Sequence, residues 1–436
     1  MSSLTTAPRR RLLMIAYHFP PLAGSSGIQR TLRFVQHLPA HGWDPIVLTA
    51  HPRVYPTTSP DLLAEVPPSV PVQAAFALDS SRHLAFGGRY PGFLARPDRW
   101  MSWWWGAVPA GLRLIRQHRP DAIWSTYPIA TAHRIGHTLH RLSGLPWIAD
   151  FRDPMAQHGY PEDPKVWRSF ARIERDIAAS TARMVFVTPS ALRMYRERFA
   201  ELPAERFALI ENGYDEESFL AAEELDDRRA LISGHFTLLH SGIVYPSERD
   251  PTALMDALSL LRNAGHPRLE SLRIRFRAAV HDDLLRRLAG ERGVADLIDI
   301  QPAVPYRQAL HEMLRADGLL VMQGTNCNEQ VPAKLYEYLR AGRPILGLAD
   351  PAGDTAQVMA DAGVTHVAKL ESVTSVAAAL AAFLDDTLPG SFADRTNPRV
   401  RAMSRAERAR SLANLLDRTV AESAQGPERQ PRINHR

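Results

Sequence analysis

Cysteine is almost absent: 436 residues carry one, Cys327, so no disulfide can close within the chain and nothing points to an oxidising compartment. Long apolar runs are missing too, and none approaches the roughly 18 residues of a membrane-spanning helix. The start, MSSLTTAPRRRLLMIAY, sets basic residues before an apolar run too short for a signal peptide, and reads as a basic arm ahead of a first strand. The expected location is the cytoplasm, with attachment to the inner face of the cytoplasmic membrane as a variant of it. Missing motifs exclude several chemistries. There is no P-loop, no zinc-type Cys/His spacing, no G-x-S-x-G, and no G-x-G-x-x-G behind a strand. No D-x-D triplet clusters carboxylates for a divalent ion.

What is present is ordinary in bulk. Lys and Arg number 52 against 47 Asp and Glu, a formal charge of +5 that favours anionic partners such as nucleotide diphosphates or an acidic leaflet. With 45% hydrophobic and 23% charged residues, the composition is that of a globular protein with ample core. The length suggests two or three domains.

Short apolar runs recur, each followed by a loop and a helical pattern, which is the rhythm of parallel α/β sheets. Residues 11–17 are the first such run. They lead into a Pro- and Gly-rich loop with Gly24, Ser25, Ser26 and Gly27, then a helix over about 28–40 and a strand at 45–49. Such loops, at the carboxyl ends of parallel strands, are where open sheets bind ligands. Arg30, in the first helical turn, either meets an anion or lies solvated. Residues 51–97 are Pro-rich and irregular. Trp100, Trp103, Trp104 and Trp105 then read either as a buried helix start or as an interfacial patch beside Arg99.

The strand at 121–125 leads to Thr126, Tyr127 and a helix with His133 and His137 one turn apart. That spacing suits a metal, but no nearby carboxylate or cysteine completes a site. The strand at 147–149 ends in Asp150-Phe151-Arg152-Asp153, which either shapes an acceptor pocket or holds the loop through an internal Asp–Arg pair. Residues 216–234 are charged and read as a linker, after which the pattern restarts with a strand at 236–239 and a loop containing Gly242 and Arg249.

The most informative stretch is 328–348, NEQVPAKLYEYLRAGRPILGL. Pro332 opens a helix, Gly342 and Pro344 close it, and 344–348 reads as a buried strand. A helix N-terminus attracts anions, while Glu337 inside the helix and Glu329 in the loop before it can accept hydrogen bonds from hydroxyl pairs. A phosphate subsite flanked by two such carboxylates suits a nucleotide-sugar. From spacing alone, an ordinary αβ unit with two solvated glutamates fits as well.

Glu329 and Glu337, with seven residues between them, then Gly342 and Pro344, resemble the E-x7-E signature of glycosyltransferase family 4, and PAKLYEYLRAGRPIL is similar to a branch of it associated with polysaccharide or glycolipid assembly. The resemblance implies an α/β GT-B fold, with two Rossmann-like doubly wound domains facing a cleft and a C-terminal helix crossing back to the first. The implied bounds are 1–218 for the acceptor-side domain, 219–234 for a linker, 235–394 for the nucleotide-sugar domain, 395–422 for the crossover helix and 423–436 for a disordered tail. The implied activity is retaining, metal-independent transfer of a sugar to a hydroxyl acceptor, a glycan or lipid-linked glycan. It needs no cofactor beyond a nucleoside-diphosphate sugar as co-substrate, and the partners include an anionic membrane but no nucleic acid.

Carried onto this sequence, the family roles place Glu329 near the donor sugar and Glu337 on the nucleotide ribose. Gly242 and Arg249 lie in the loop that grips the diphosphate, with Lys334 supplying the charge that Ile243, at the usual Arg position, lacks. Val331 and Pro332, with Gln330, stand where the family has Gly-aromatic-Gly against the donor, and Gly24 and Gly27 stand in the loop facing donor and acceptor. Thr126 or Tyr127 holds the usual place of an active-site histidine, with His133 as a substitute. Thr126 and Asp153 join Glu329 as catalytic candidates, and Asp150, Arg152, His133 and Tyr127 are acceptor candidates. A sugar-nucleotide epimerase of the same fold and a non-catalytic subunit altered at Thr126 and Ile243 remain alternatives. A dinucleotide oxidoreductase is disfavoured by the missing glycine fingerprint.

Overall fold

The computed structural model describes residues 9–425 apart from 26, 158, 226, 228, 389 and 391–396. Ser26, the first residues of the segment expected at 395–422, and the expected tail beyond residue 425 lie outside the described residues. The chain divides into two units, Met1–Glu211 with Ala406–Arg436, and Asn212–Arg405.

Among the described residues the first unit holds a seven-stranded parallel sheet of β1 (Arg10–Ile15), β2 (Trp43–Ala50), β3 (Val72–Ala75), β4 (Ala122–Thr126), β5 (Trp147–Asp150), β6 (Arg183–Phe186) and β7 (Phe207–Leu209). Their order is β3-β2-β1-β4-β5-β6-β7. The second unit repeats the plan with β8 (Phe236–Ser241), β9 (Leu272–Arg277), β10 (Ile298–Gln301), β11 (Gly318–Met322), β12 (Ile345–Leu348) and β13 (His366–Ala368), ordered β10-β9-β8-β11-β12-β13. Helices cover both faces, so central strands such as β4 and β11 are buried at every residue, which is why they read as continuous apolar runs. In each sheet the order reverses beside the first strand, between β1 and β4 and between β8 and β11, and ligands of open α/β sheets bind at such switch points. The chain therefore has two Rossmann-like units.

Strand β3 has no clear mark in the sequence. It is short, sits at an edge and is only partly buried, so it shows neither an apolar run nor a sustained alternation. Part of the expected linker is core instead: helix Glu216–Glu223 buries Phe219 and Ala222 in the second unit, and Arg340 pairs with Glu216 at 2.6 Å. The tryptophan run is mostly packed. Trp103 is fully buried, Trp100 lies against Tyr17 and under Arg99, and Trp104 donates to Thr138 Oγ1 at 3.0 Å. Trp105 is the exposed member.

Helix Arg405–Ala424 lays Ala409, Leu412, Ala413, Leu415 and Leu416 into the same core as Leu12, Met14, Leu32 and Val35 of the first unit. Asp417 on this helix accepts from Trp43 Nε1 at 3.1 Å and from Arg10 at 2.8 Å. The C-terminal segment is thus an integral layer of the first unit.

A buried ion pair ties that unit's strand ends together. Arg30, on helix Gly27–His37, donates from Nε to Asp150 Oδ2 at 3.0 Å and from its amino groups to Asp150 Oδ1 at 2.8 Å and to the Ile210 and Glu211 carbonyls. Thr126 Oγ1 adds a bond to Asp150 Oδ2 at 2.8 Å. Removing one partner of a buried pair strands the other charge, so Arg30→Met is expected to cost about 3–5 kcal/mol in urea unfolding, while Arg30→Met/Asp150→Leu recovers much of that loss. Leu416→Ala is expected to cost about 2–5 kcal/mol by leaving a cavity under the C-terminal helix. An unchanged urea midpoint for Leu416→Ala would show that this helix is not core.

Candidate functional site

In the second unit, the expected helix is present as Ala333–Ala341. Pro332 precedes it in extended conformation and Gly342 ends it at φ 66°, its N–H bonded to the Leu339 and Tyr338 carbonyls. Two side chains of this helix, four residues apart and therefore on one face, latch the end of β8. Tyr338 OH accepts from Ser241 N–H at 2.7 Å. Lys334 Nζ lies 3.0 Å from His240 Nε2. His240 is fully buried, and its Nδ1 sits 2.9 Å from the Leu320 carbonyl. A carbonyl can only accept, so Nδ1 carries the proton and Nε2 is the acceptor for Lys334. Burial first, then the adjacent ammonium, holds the His240 pKa well below the usual value, consistent with a neutral ring.

Lys334 is therefore held by a neutral base. Among the described residues it forms no salt bridge. Burial and then Arg249 push its pKa well below that of an ordinary lysine, with Glu337 opposing. Arg249 has no carboxylate partner among the described residues either. It donates to the Ile243 carbonyl at 3.1 Å, lies over the Tyr245 ring, and leaves Nε buried without a partner. Between these cations the backbone passes at Gly242, at φ 116°, where an added Cβ would come within 2.9 Å of Lys334 Nζ. Two neighbouring cations that form no salt bridge among the described residues, with Glu337 as the nearby carboxylate, beside a bare backbone at a switch point, form a site suited to an anion.

Glu337 lies one turn further along the helix. It accepts from Tyr306 OH at 2.7 Å. Burial raises its carboxyl pKa, and Arg405, Tyr306 and Lys334 pull it back. Glu329 is exposed in the turn between the 3-10 segment Thr325–Cys327 and the helix. Val331 and Pro332 are buried, so they seat the helix start and leave only backbone to meet a ligand. A nearby cavity of about 470 Å³ is lined by Glu248, Asp250, Asp256 and Glu371. Its acidic wall suits a diphosphate poorly.

The first-unit candidates separate into two groups. Four that were expected to catalyse or touch an acceptor are buried and engaged. Thr126 gives its hydroxyl to Asp150 and the Tyr127 carbonyl, and both Asp150 oxygens are taken by Arg30. The internal Asp–Arg pair thus exists, but its arginine is Arg30 rather than Arg152. His133 is fully buried. Ser125 Oγ accepts from Trp147 Nε1 at 2.8 Å, which leaves its proton for His133 Nδ1 at 2.8 Å. Burial lowers the His133 pKa to about 3, so it is a neutral core residue. It forms no metal pair with His137, which stacks on Trp147. Tyr127 is 4% exposed and packs edge-on to Phe170.

The second group gathers at the β1 loop. Arg152, in left-handed conformation at φ 58°, donates to the Gly27 carbonyl at 2.9 Å. A Cβ on Gly27 would collide with His18 Nδ1 and Arg152. Burial and Arg152 drive the His18 pKa down to about 3. Gly24, at φ 78°, makes the turn before them, and Asp153 is exposed beside Arg152.

His240 and Tyr306 were assigned no role from sequence. His240 stands immediately before Ser241-Gly242, where a strand-end position was the available signal. Tyr306 had none, because its contact to Glu337 spans 31 residues.

Residues 26–213 match the family described as "Glycosyl transferase 4-like domain". No curated protein matches the chain in sequence. Among solved structures, the chain is similar to an α,α-trehalose 6-phosphate synthase from Burkholderia multivorans, with 14% identity and a TM-score of 0.63 over 98% of this chain and 100% of that one. It is similar to WaaG, a glycosyltransferase involved in lipopolysaccharide biosynthesis, with 15% identity and a TM-score of 0.55 over 95% and 100%. A UDP-GlcNAc 2-epimerase from Neisseria meningitidis bound to UDP-GlcNAc gives 10% identity and a TM-score of 0.56 over 94% and 100%. At these identities the structures speak for the fold alone. Residues 26–213 thus resemble a glycosyl transferase 4-like domain, and the chain has the GT-B fold along its length.

Proposed function

We propose that the protein is a retaining, metal-independent glycosyltransferase that moves a sugar from a nucleoside-diphosphate sugar to a hydroxyl on a glycan or lipid-linked glycan. The observation that carries this reading is the uncompensated pair Lys334 and Arg249 at the carboxyl end of β8, with the glycosyl transferase 4-like domain beside it in sequence. A diphosphate supplies the missing negative charge. Glu337, one turn from Lys334, accepts from the ribose hydroxyls in place of Tyr306, and Glu329 orients the sugar. As the bond from the anomeric carbon to the diphosphate oxygen breaks, Lys334 and Arg249 stabilise the leaving charge. The acceptor oxygen bonds to that carbon from the same face, and its proton passes to the departing phosphate. Asp153 and Arg152 remain as first-unit groups for the acceptor side. Thr126, Asp150 and His133 serve the core.

Likeness to a solved epimerase keeps a second reading open, in which the same donor site works without an acceptor. Product analysis separates the two. Release of free nucleoside diphosphate that depends on an added acceptor, with the donor's anomeric configuration kept in the product by proton NMR, is the expected result. Conversion of the donor sugar to its epimer without acceptor would overturn transfer.

The Lys334 shift makes a pH prediction. Its pKa is lowered in the free protein, and a bound diphosphate favours the charged form. Below that lowered pKa the ammonium is already charged; near and above it, binding takes up a proton and affinity falls as pH rises. Lys334→Arg, which stays charged, flattens that slope. Calorimetry of nucleoside-diphosphate binding in buffers of different ionisation enthalpy reads the uptake directly.

A further inference from the structure

We propose that the loop over residues 84–95 of the first unit is a docking surface for an anionic lipid bilayer. It deepens the membrane-side expectation and moves it away from the tryptophan run, most of which is packed inside. The loop ends in a tight turn: Phe86 and Arg89 exchange backbone hydrogen bonds at 2.8 and 3.1 Å across Gly87 and Gly88. Both glycines have positive φ, 56° and 76°, the pairing that a two-residue hairpin requires. Phe86, at one shoulder of the turn, is 95% exposed, and Phe93 further along is 62% exposed.

The loop is not a frayed strand end. Its base is stapled by Ser80, whose hydroxyl donates to the Leu94 carbonyl at 2.5 Å and whose N–H donates to the Arg99 carbonyl at 2.9 Å. Asp79 caps the helix Ser80–His83 and pairs with Arg99 at 3.3 Å. A held loop that presents two phenyl rings to water has its apolar surface placed for something outside the fold. In the second unit, no Phe or Trp among the described residues is exposed in this way.

Charge decides the occupant. From Ser80 to Pro97 the sequence has Arg82, His83, Arg89 and Arg96 and no Asp or Glu. Arg82 is tied back to the Tyr55 carbonyl at 2.9 Å, while Arg89 at the turn is exposed. Aromatic rings that enter the headgroup layer, with arginines beside them that meet anionic headgroups, are the chemistry of a peripheral membrane contact. A second copy meeting it loop to loop would need an acidic rim, which nothing in the loop itself supplies.

The test is co-sedimentation of the full chain with vesicles of phosphatidylcholine, alone and with added phosphatidylglycerol, at low and high salt. The expected result is binding only to the anionic vesicles, weakened by salt. Phe86→Ser/Phe93→Ser is expected to lose about tenfold or more in binding, and Arg89→Ser/Arg96→Ser about fivefold per arginine. Phe86, Arg89 and Phe93 are exposed, whereas Arg96 is half-buried and donates from Nε to the Gly92 carbonyl at 3.1 Å, so melting temperatures are compared first and Arg89→Ser alone, expected to lose about fivefold, replaces the double substitution if Arg96→Ser lowers stability. No binding to anionic vesicles, equal binding to both kinds, or binding unaffected by either double substitution overturns the proposal. So does concentration-dependent self-association abolished by Phe86→Ser/Phe93→Ser in the absence of vesicle binding, which would make the loop a contact between copies.

Discussion

Lys334 is held by a neutral histidine, and the donor site proposed for the second unit depends on that contact. A carboxylate in the place of His240 would have neutralised the ammonium and left no call for a bound anion. Instead the Leu320 carbonyl fixes the His240 tautomer, Nε2 accepts from Nζ, and the positive charge stays available beside Arg249. Tyr338 repeats the latch at the next residue of β8. Helix Ala333–Ala341, the β8 exit and Gly242 therefore form one rigid edge, and preorganised charge of this kind is what stabilises a developing anion.

The first unit uses its buried charge in the opposite way. Arg30 and Asp150 neutralise each other, with Thr126 and two carbonyls completing the set. That network fixes where β4, β5 and β7 end and leaves no group over for a reacting sugar. Satisfied polar residues at a strand end hold geometry, while unsatisfied ones invite a ligand. The contrast between Asp150 and Lys334 rests on that distinction.

Much of the fold was legible because buried parallel strands write themselves as apolar runs, and the helix over 333–341 carries both of its end marks, Pro332 and Gly342. The edge strand β3 and the helix Glu216–Glu223 were not, since one is short and half exposed and the other hides a single anchoring Phe219 in a charged stretch. The candidate site was legible where its residues are close in sequence, as with Lys334 and Glu337 on one helix. It was not where distant segments meet: Lys334 and His240 are 94 residues apart, and Arg30 and Asp150 are 120 apart. Asp150, Thr126 and His240 all stand at strand ends, and only their partners separate the core residues from the candidate site.

The most direct measurement is thermal stabilisation by UDP, GDP, ADP and dTDP and their sugar conjugates without added metal, on the natural chain and on Lys334→Ala and Glu337→Ala. An anion site at this edge predicts that one nucleotide family raises the melting temperature and that both substitutions abolish the rise. No shift with any of them, or a shift that survives both substitutions, would contradict a donor site at the end of β8.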